Sequence, residues 1–266
     1  SAPELAVIIE RLLDPLGLQL DRSAPVVDAR LPGGARVNVV AAPAAVAGPL
    51  LTIRRFTDRP LGLDAFGDPT LVSLLATLVM RRATVLVVGA TSSGKTSLLN
   101  ALAGHVGPGE RIVTIEDTAE LRMASSTAVA LEARPPNREG VGAISLRSLV
   151  RTALRMRPDR LVVGEVRGAE ALDLVLALTT GHAGSMATCH ASSAAGALRR
   201  LAVLARLGEA DVPVDAVQAL IHEAIDVVVT VARFGAVRRV QEVVEVSDDP
   251  GGSLATLWAA GPRVVA

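Results

Sequence analysis

An α/β fold organised on a mostly parallel sheet is predicted by three features of the 266-residue chain. Short β-branched runs alternate with helix-forming stretches from residue 71 to residue 224, the pattern of a doubly wound sheet covered on both faces. A glycine-rich octapeptide, Gly89-Ala90-Thr91-Ser92-Ser93-Gly94-Lys95-Thr96, falls between one such run and one such stretch. Half of the residues are apolar while aromatics make up 2%, so a sizeable core is available and must be built from Ala, Val, Leu and Ile.

The elements follow in order. An amphipathic helix at 4–13 and short strands at 26–29, 36–40 and 50–54 form a small N-terminal α/β domain, residues 1–57. Turn residues cluster in Thr57-Asp58-Arg59-Pro60-Leu61-Gly62 and Gly67-Asp68-Pro69, which places a linker at 58–69. The second domain, 70–266, opens with a helix at 71–80 and a strand at 84–88. The glycine-rich loop comes next, then a helix over 95–103 that Gly104 ends. Strands at 111–115 and 128–132, a helix at 145–156, a strand at 160–163 and a helix at 169–179 continue the alternation. A strand at 184–189 and helices at 194–207 and 214–224 precede strand-rich segments at 224–231 and 237–246, and 247–252 reads as a polar turn.

The octapeptide fits the phosphate-binding pattern G-x-x-x-x-G-K-[ST] position for position, a match expected by chance in roughly one chain in a thousand of this composition. Lys95 is the only lysine; all other members of the 27-residue basic set are arginine. A compact ammonium thus stands where triphosphate chemistry needs one and where a planar guanidinium would not substitute. Strand, glycine-rich loop and helix in succession let the backbone N–H groups of 89–97, Ser97 included, wrap phosphates at a helix N-terminus. Lys95 would reach the β and γ groups and Thr96 would hold Mg²⁺, so ATP and Mg²⁺ are the expected ligands.

Hydrolysis requires carboxylates besides. Glu116 and Asp117 follow the apolar run Ile112-Val113-Thr114-Ile115, and Glu165 follows Leu161-Val162-Val163-Gly164, which places acids at strand ends where open α/β sheets bind ligands. Such an acid beside the phosphate loop can order the metal's water shell or take a proton; taken singly, each has a lesser alternative as a helix N-cap or first-turn charge, and two such acids weigh against it. His182 and His190 bracket the strand predicted at 184–189. Their spacing with the single Cys189 does not make a zinc site, and Cys189 reads as a small buried hydrophobe.

Zero formal net charge and scarce aromatics argue against a nucleic-acid surface, and no stretch of the sequence is long and apolar enough to span a bilayer. No export signal is read at the N-terminus, and one cysteine is compatible with a reducing cytoplasm.

Over residues 36–190 the sequence resembles the secretion ATPases of type II and type IV systems, in particular the TadA/CpaF branch of Flp, or tight-adherence, pili. The carrying motifs are Gly34-Ala35-Arg36-Val37-Asn38, Leu51-Thr52-Ile53-Arg54-Arg55-Phe56, the phosphate loop and Thr114-Ile115-Glu116-Asp117-Thr118-Ala119-Glu120-Leu121. Leu154-Arg155-Met156-Arg157-Pro158-Asp159-Arg160, Val163-Gly164-Glu165-Val166-Arg167-Gly168 and residues 181–191 complete the set in family order. The resemblance implies a RecA-like ATPase domain hinged to the N-terminal domain, ATP at their junction, a homohexameric ring and inner-membrane platform proteins as partners. It implies a cytoplasmic protein on the inner face of the membrane; the neutral charge and scarce aromatics lead to the expectation of no direct nucleic-acid partner. By the same resemblance Glu116 polarises the attacking water, Glu165 stands beside Mg²⁺, and His190 with His182 senses the γ-phosphate. Arg36 and Arg54 would neutralise the terminal phosphates with Arg55 beside them, and Arg155, Arg157 and Arg167 would line the subunit interface. The N-terminal domain is shorter than is usual in that family, which is expected to bear on platform contacts and ring assembly. Two other classes share the phosphate loop: a RecA-like nucleic-acid motor and a nucleotide-dependent scaffold that does not hydrolyse.

Overall fold

The computed structural model describes residues 2–55, 61–123, 127–136, 141–208, 211–248 and 253–261. The chain divides into two compact units, Ser1–Arg59 and Pro60–Ala266.

In the first unit, helix α1 (Ala2–Leu13) precedes three antiparallel strands, β1 (Val26–Arg30), β2 (Arg36–Val40) and β3 (Leu50–Arg54), in the order β1-β2-β3. The two-residue periodicity of β2 sends Val37 and Val39 to one face, where they pack with Ile9 and Leu13 of α1. Arg36 and Asn38 therefore share the opposite face. Strand register sets Arg36 directly across from both Arg30 and Arg54, a rung of three arginines.

The second unit begins with a single 3-10 turn at Leu63–Ala65 and helix α2 (Pro69–Met80). Asp68 caps α2, its carboxylate accepting the Leu71 N–H at 2.9 Å, and Pro69 occupies the first turn, where its missing N–H costs nothing. The expected linker is corrected here. Leu63 and Phe66 are buried with Leu71, Leu75 and the phosphate-loop helix, so 61–69 is part of the folded unit; the turn composition hid two apolar anchors. The remainder of that linker, 58–60, lies outside the described residues, as do Phe56 and the 249–252 portion of the expected polar tail.

Strand β4 (Val85–Gly89) leads into helix α3 (Lys95–Ala103), then β5 (Ile112–Glu116), β6 (Val129–Glu132) and α4 (Leu146–Ala153), which closes with a 3-10 turn at Leu154–Met156. After β7 (Arg160–Val166) come α5 (Glu170–Thr179), β8 (Met186–His190), α6 (Ala194–Gly208) and α7 (Val214–Ala224). Strands β9 (Val227–Phe234), β10 (Val237–Val246) and β11 (Leu254–Ala259) end the unit. The eight-stranded sheet runs β11-β10-β9-β4-β8-β7-β5-β6; pairing is parallel from β9 to β6, and β10 and β11 add antiparallel at one edge. β11 was not expected, because its exposed, non-alternating sequence shows strand character only through pairing with β10.

Helices cover both faces, which explains why β4, β5 and most of β7 are apolar without alternation. Val85 and Val87 of β4 join Leu75 of α2 and Leu98 and Leu99 of α3; Leu86 and Val88 join Val150, Val175, Leu201 and Val217 of α4 to α7. This double burial holds the carboxyl ends of β4, β5, β7 and β8 in one row, the position at which open α/β sheets bind ligands.

Candidate functional site

The phosphate loop is shaped by its glycines. A Cβ on Gly89 would strike the Val231 carbonyl oxygen and Ser93, and Gly94, at the N-terminus of α3, adopts φ +106°, a conformation that favours glycine. Ser92 is also left-handed, at φ 61°. Ala90, Thr91 and Ser92 are exposed at the loop tip, while Thr96 and Ser97 are half-buried in the first turn of α3. The Ser93 hydroxyl is buried without a hydrogen-bond partner among the described residues.

Lys95 is 8% exposed and donates from Nζ to the carbonyls of Gly89 at 3.1 Å and Ala90 at 3.0 Å. Burial lowers its pKa, opposed by the nearby Glu165 carboxylate. Parallel pairing of β4 with β8 sets His190 beside Gly89, and Lys95 Nζ lies 3.4 Å from His190 Nδ1. An ammonium can only donate, so Nδ1 accepts and the proton of the neutral ring sits on Nε2, which faces Glu165 Oε1 at 2.7 Å. Burial, then the Lys95 charge, lower the His190 pKa, consistent with that neutral form. Glu165 Oε2 accepts from the Arg167 guanidinium at 2.7 Å, and Arg167 reaches Asp117 at 3.0 Å. One continuous chain thus joins Lys95, His190, Glu165, Arg167 and Asp117.

A local irregularity aims Glu165. Register between β7 and β8 shifts between Val163 and Val166, as β-bulges do where a side chain is redirected. Thr188 Oγ1 donates to the Gly164 carbonyl at 2.6 Å, satisfying a group in that irregular stretch. Glu116 lies against the same Gly164: a Cβ there would come within 2.8 Å of Glu116 Cγ. Glu116 is buried, accepts the N–H groups of Glu120 at 2.9 Å and Leu121 at 3.0 Å, and does not join the Lys95 chain by a hydrogen bond. Burial pushes its carboxyl up to about 7, against the pull of those two N–H groups. Burial likewise pushes the Cys189 thiol to about 11, leaving it an inert apolar filler.

His182 is a correction. It precedes β8 at the opposite end from His190, with Nδ1 on the Ala177 carbonyl at 3.0 Å and φ +63°. A five-residue strand at about 3.3 Å per residue separates the two imidazoles, so they do not share a crevice. In the first unit, Arg36 is half-buried and Arg54 and Arg55 are exposed; Arg36 and Arg54 occupy the arginine rung, and Arg30 is its third member. The strand predicted at 26–29 stopped one residue short of it. Arg155 and Arg157 are exposed after α4.

The oxygen-rich donor set fits Mg²⁺, which takes one or two protein oxygens together with phosphates: the Thr96 hydroxyl and the Glu165 carboxylate both belong to the ligand end of the sheet. Among the described residues no cluster of three His, Cys, Asp or Glu side chains forms a metal cage independent of a nucleotide.

The sequence pattern of the family described as "Type II/IV secretion system protein" matches residues 4–244. The chain belongs to this family. A putative conjugal transfer protein of Mycobacterium tuberculosis H37Rv is 42% identical over 251 residues, covering 90% of this chain and 71% of that protein. The type IV secretion system protein PtlH of Bordetella pertussis is 40% identical over 251 residues, covering 82% of this chain and 74% of its own. Among solved structures, the VirB11 ATPase of the Brucella suis type IV secretion system, in complex with sulphate, aligns with TM-score 0.60 at 27% identity over 91% of this chain and 80% of that one. The Legionella pneumophila ATPase DotB shares the fold at TM-score 0.62 and 24% identity, over 94% and 70% of the two chains.

Proposed function

We propose that this member of the secretion family is an ATP-hydrolysing motor. It works as a homohexamer on inner-membrane platform proteins, from the cytoplasmic face, and drives pilus assembly or protein export by nucleotide-driven domain closure. The observation that carries the reading is the continuous chain from Lys95 through His190 to Glu165, which couples the phosphate loop to an acid at the tip of β7.

Each residue then has a step. Lys95 exchanges the Gly89 and Ala90 carbonyls for phosphate oxygens, which frees His190 Nδ1 to take up a proton and, as a donor, to meet a terminal phosphate. Thr96 and Glu165 would hold Mg²⁺, which when bound neutralises charge on the phosphates. Glu116, with a carboxyl near 7, has the proton affinity suited to taking a proton from attacking water at neutral pH. The N–H groups of Glu120 and Leu121 fix its orientation. Arg36 and Arg54, with Arg55 beside them, supply cations to the terminal phosphates.

Phosphate release from ATP with Mg²⁺ tests this: the native chain turns over and Lys95→Ala neither binds nor turns over. Normal turnover by Lys95→Ala overturns the assignment, and stimulation by single-stranded DNA would favour a nucleic-acid motor. The Flp/Tad branch is supported by seven motifs in family order. The 42% identity to a protein named for conjugal transfer favours a second reading, in which the same motor serves a transfer apparatus. Deleting the gene and scoring surface pili against plasmid mobilisation separates the two.

A further inference from the structure

A second cation lies on the phosphate loop, contributed by the antiparallel edge of the sheet. The Arg238 side chain of β10 is laid over Gly94: its Cδ occupies the space a Gly94 Cβ would need, with Cγ 3.2 Å and Nε 3.1 Å from that position. Its Nε is shielded from solvent and has no hydrogen-bond partner among the described residues. A guanidinium can only donate, and a shielded donor without an acceptor costs free energy unless a ligand completes it.

Topology explains how this arginine reaches the loop. β9 runs parallel to β4, so its carboxyl end and the turn into β10 lie at the ligand end of the sheet. Two residues beyond Arg238, Val240 packs with Leu98 and Leu99 of α3, and strand alternation therefore puts Arg238 on the α3 side. Register places Arg233 of β9 directly opposite Arg238. Like charges in direct opposition destabilise a sheet, and an anion between or beside them removes that penalty. Arg233 has an acceptor, the Gly235 carbonyl at 2.7 Å, whereas Arg238 Nε has none.

We propose that Arg238 is a nucleotide-binding residue whose guanidinium, beside Lys95, contacts the phosphate chain. The proposal rests on reading this loop as a nucleotide site and adds to it a ligand from outside the loop. It also gives Gly94 a second role: a side chain there would displace the arginine stem as well as strain the backbone.

The test is isothermal titration of ATP, ADP and inorganic pyrophosphate into the native chain, Arg238→Met and Arg238→Lys, with thermal melts as a folding control. Methionine keeps an apolar stem over Gly94 and removes the charge. The expected result is that Arg238→Met weakens all three ligands about ten-fold or more, the scale of a charge-assisted hydrogen bond, with Arg238→Lys between it and the native chain. Native affinity in Arg238→Met would mean that the stem only packs, and the proposal falls. A loss for ATP and ADP that spares pyrophosphate would move the contact to the base or ribose and equally overturn it. Absence of ATP binding by the native chain would instead overturn the nucleotide-site reading itself.

Discussion

The two ends of β7 carry similar ingredients with opposite outcomes. At its amino end Arg160, 1% exposed, forms a bidentate pair with Glu110, both contacts 2.8 Å, and donates to the carbonyls of Val79 at 3.0 Å and Gly184 at 3.1 Å. Arg82 adds a second cation to Glu110 at 3.3 Å, and hydrogen bonding from Arg160 holds the Glu110 carboxyl below its usual range. At the carboxyl end Lys95, His190, Glu165 and Arg167 are also linked, but around them Ser93 Oγ and Arg238 Nε have no partner among the described residues and Glu116 is held near 7. A buried charge with every donor matched is architecture. A buried charge surrounded by unmatched donors is suited to a ligand, because the ligand's oxygens complete what the fold leaves open.

Substitutions at the two ends should therefore separate stability from chemistry. The largest effect is expected for Glu116→Gln, which should bind ATP normally yet lose about 10²- to 10⁴-fold in turnover, the scale of a missing general base, in a single-turnover assay. Arg160→Met should do the reverse. It leaves Glu110 without its main partner and the Gly184 carbonyl without its arginine donor, while the Val79 carbonyl keeps the Arg82 N–H at 3.1 Å, at about 3–5 kcal/mol in urea unfolding, and ATP affinity of the folded fraction is unchanged.

A third prediction concerns pH. Glu116 has a carboxyl near 7 in the folded chain against 4.5 ordinarily, so between these values the folded state binds more protons than the unfolded one. Its contribution is fully present below about 4.5 and is lost as pH rises through about 7, by at most about 3 kcal/mol. Glu116→Gln should accordingly be more stable than the native chain at pH 8 and gain little at pH 4.5, read from urea midpoints. Turnover of the native chain should rise as pH passes 7 and the base deprotonates. The smallest contrast is between the imidazoles: His190→Ala should slow turnover about ten-fold or more, while His182→Ala should leave it within about two-fold and cost about 1 kcal/mol of stability for its Ala177 hydrogen bond. Equal kinetic effects would mean that the two ends are not functionally distinct.

Much of this was legible in one dimension. Local signals placed α3, α7, β2, β3 and β10 at their observed bounds, since a glycine stop or a β-branched run acts over neighbouring residues. Linker and edge were harder: Leu63 and Phe66 are hidden among turn residues, and β11 lacks alternation because its side chains are mostly exposed. His182 was misplaced because proximity in sequence across a strand is not proximity in space. Arg238 carried no local signal, although two arginines flanking the Phe234-Gly235 turn would have flagged a pair facing each other.

Lys95, its loop and the strand-tip acids follow from the sequence because phosphate binding is a local device, built from consecutive backbone N–H groups and one side chain. Membership of the secretion family follows too, from motifs in order. Tertiary structure alone decided which charges meet. Strand register set His190 beside Gly89, an irregularity in β7 turned Glu165 toward it, burial raised Glu116, and the β9–β10 hairpin brought Arg238 onto Gly94 from 144 residues away. These are consequences of pairing and packing between distant segments, and no local pattern encodes them.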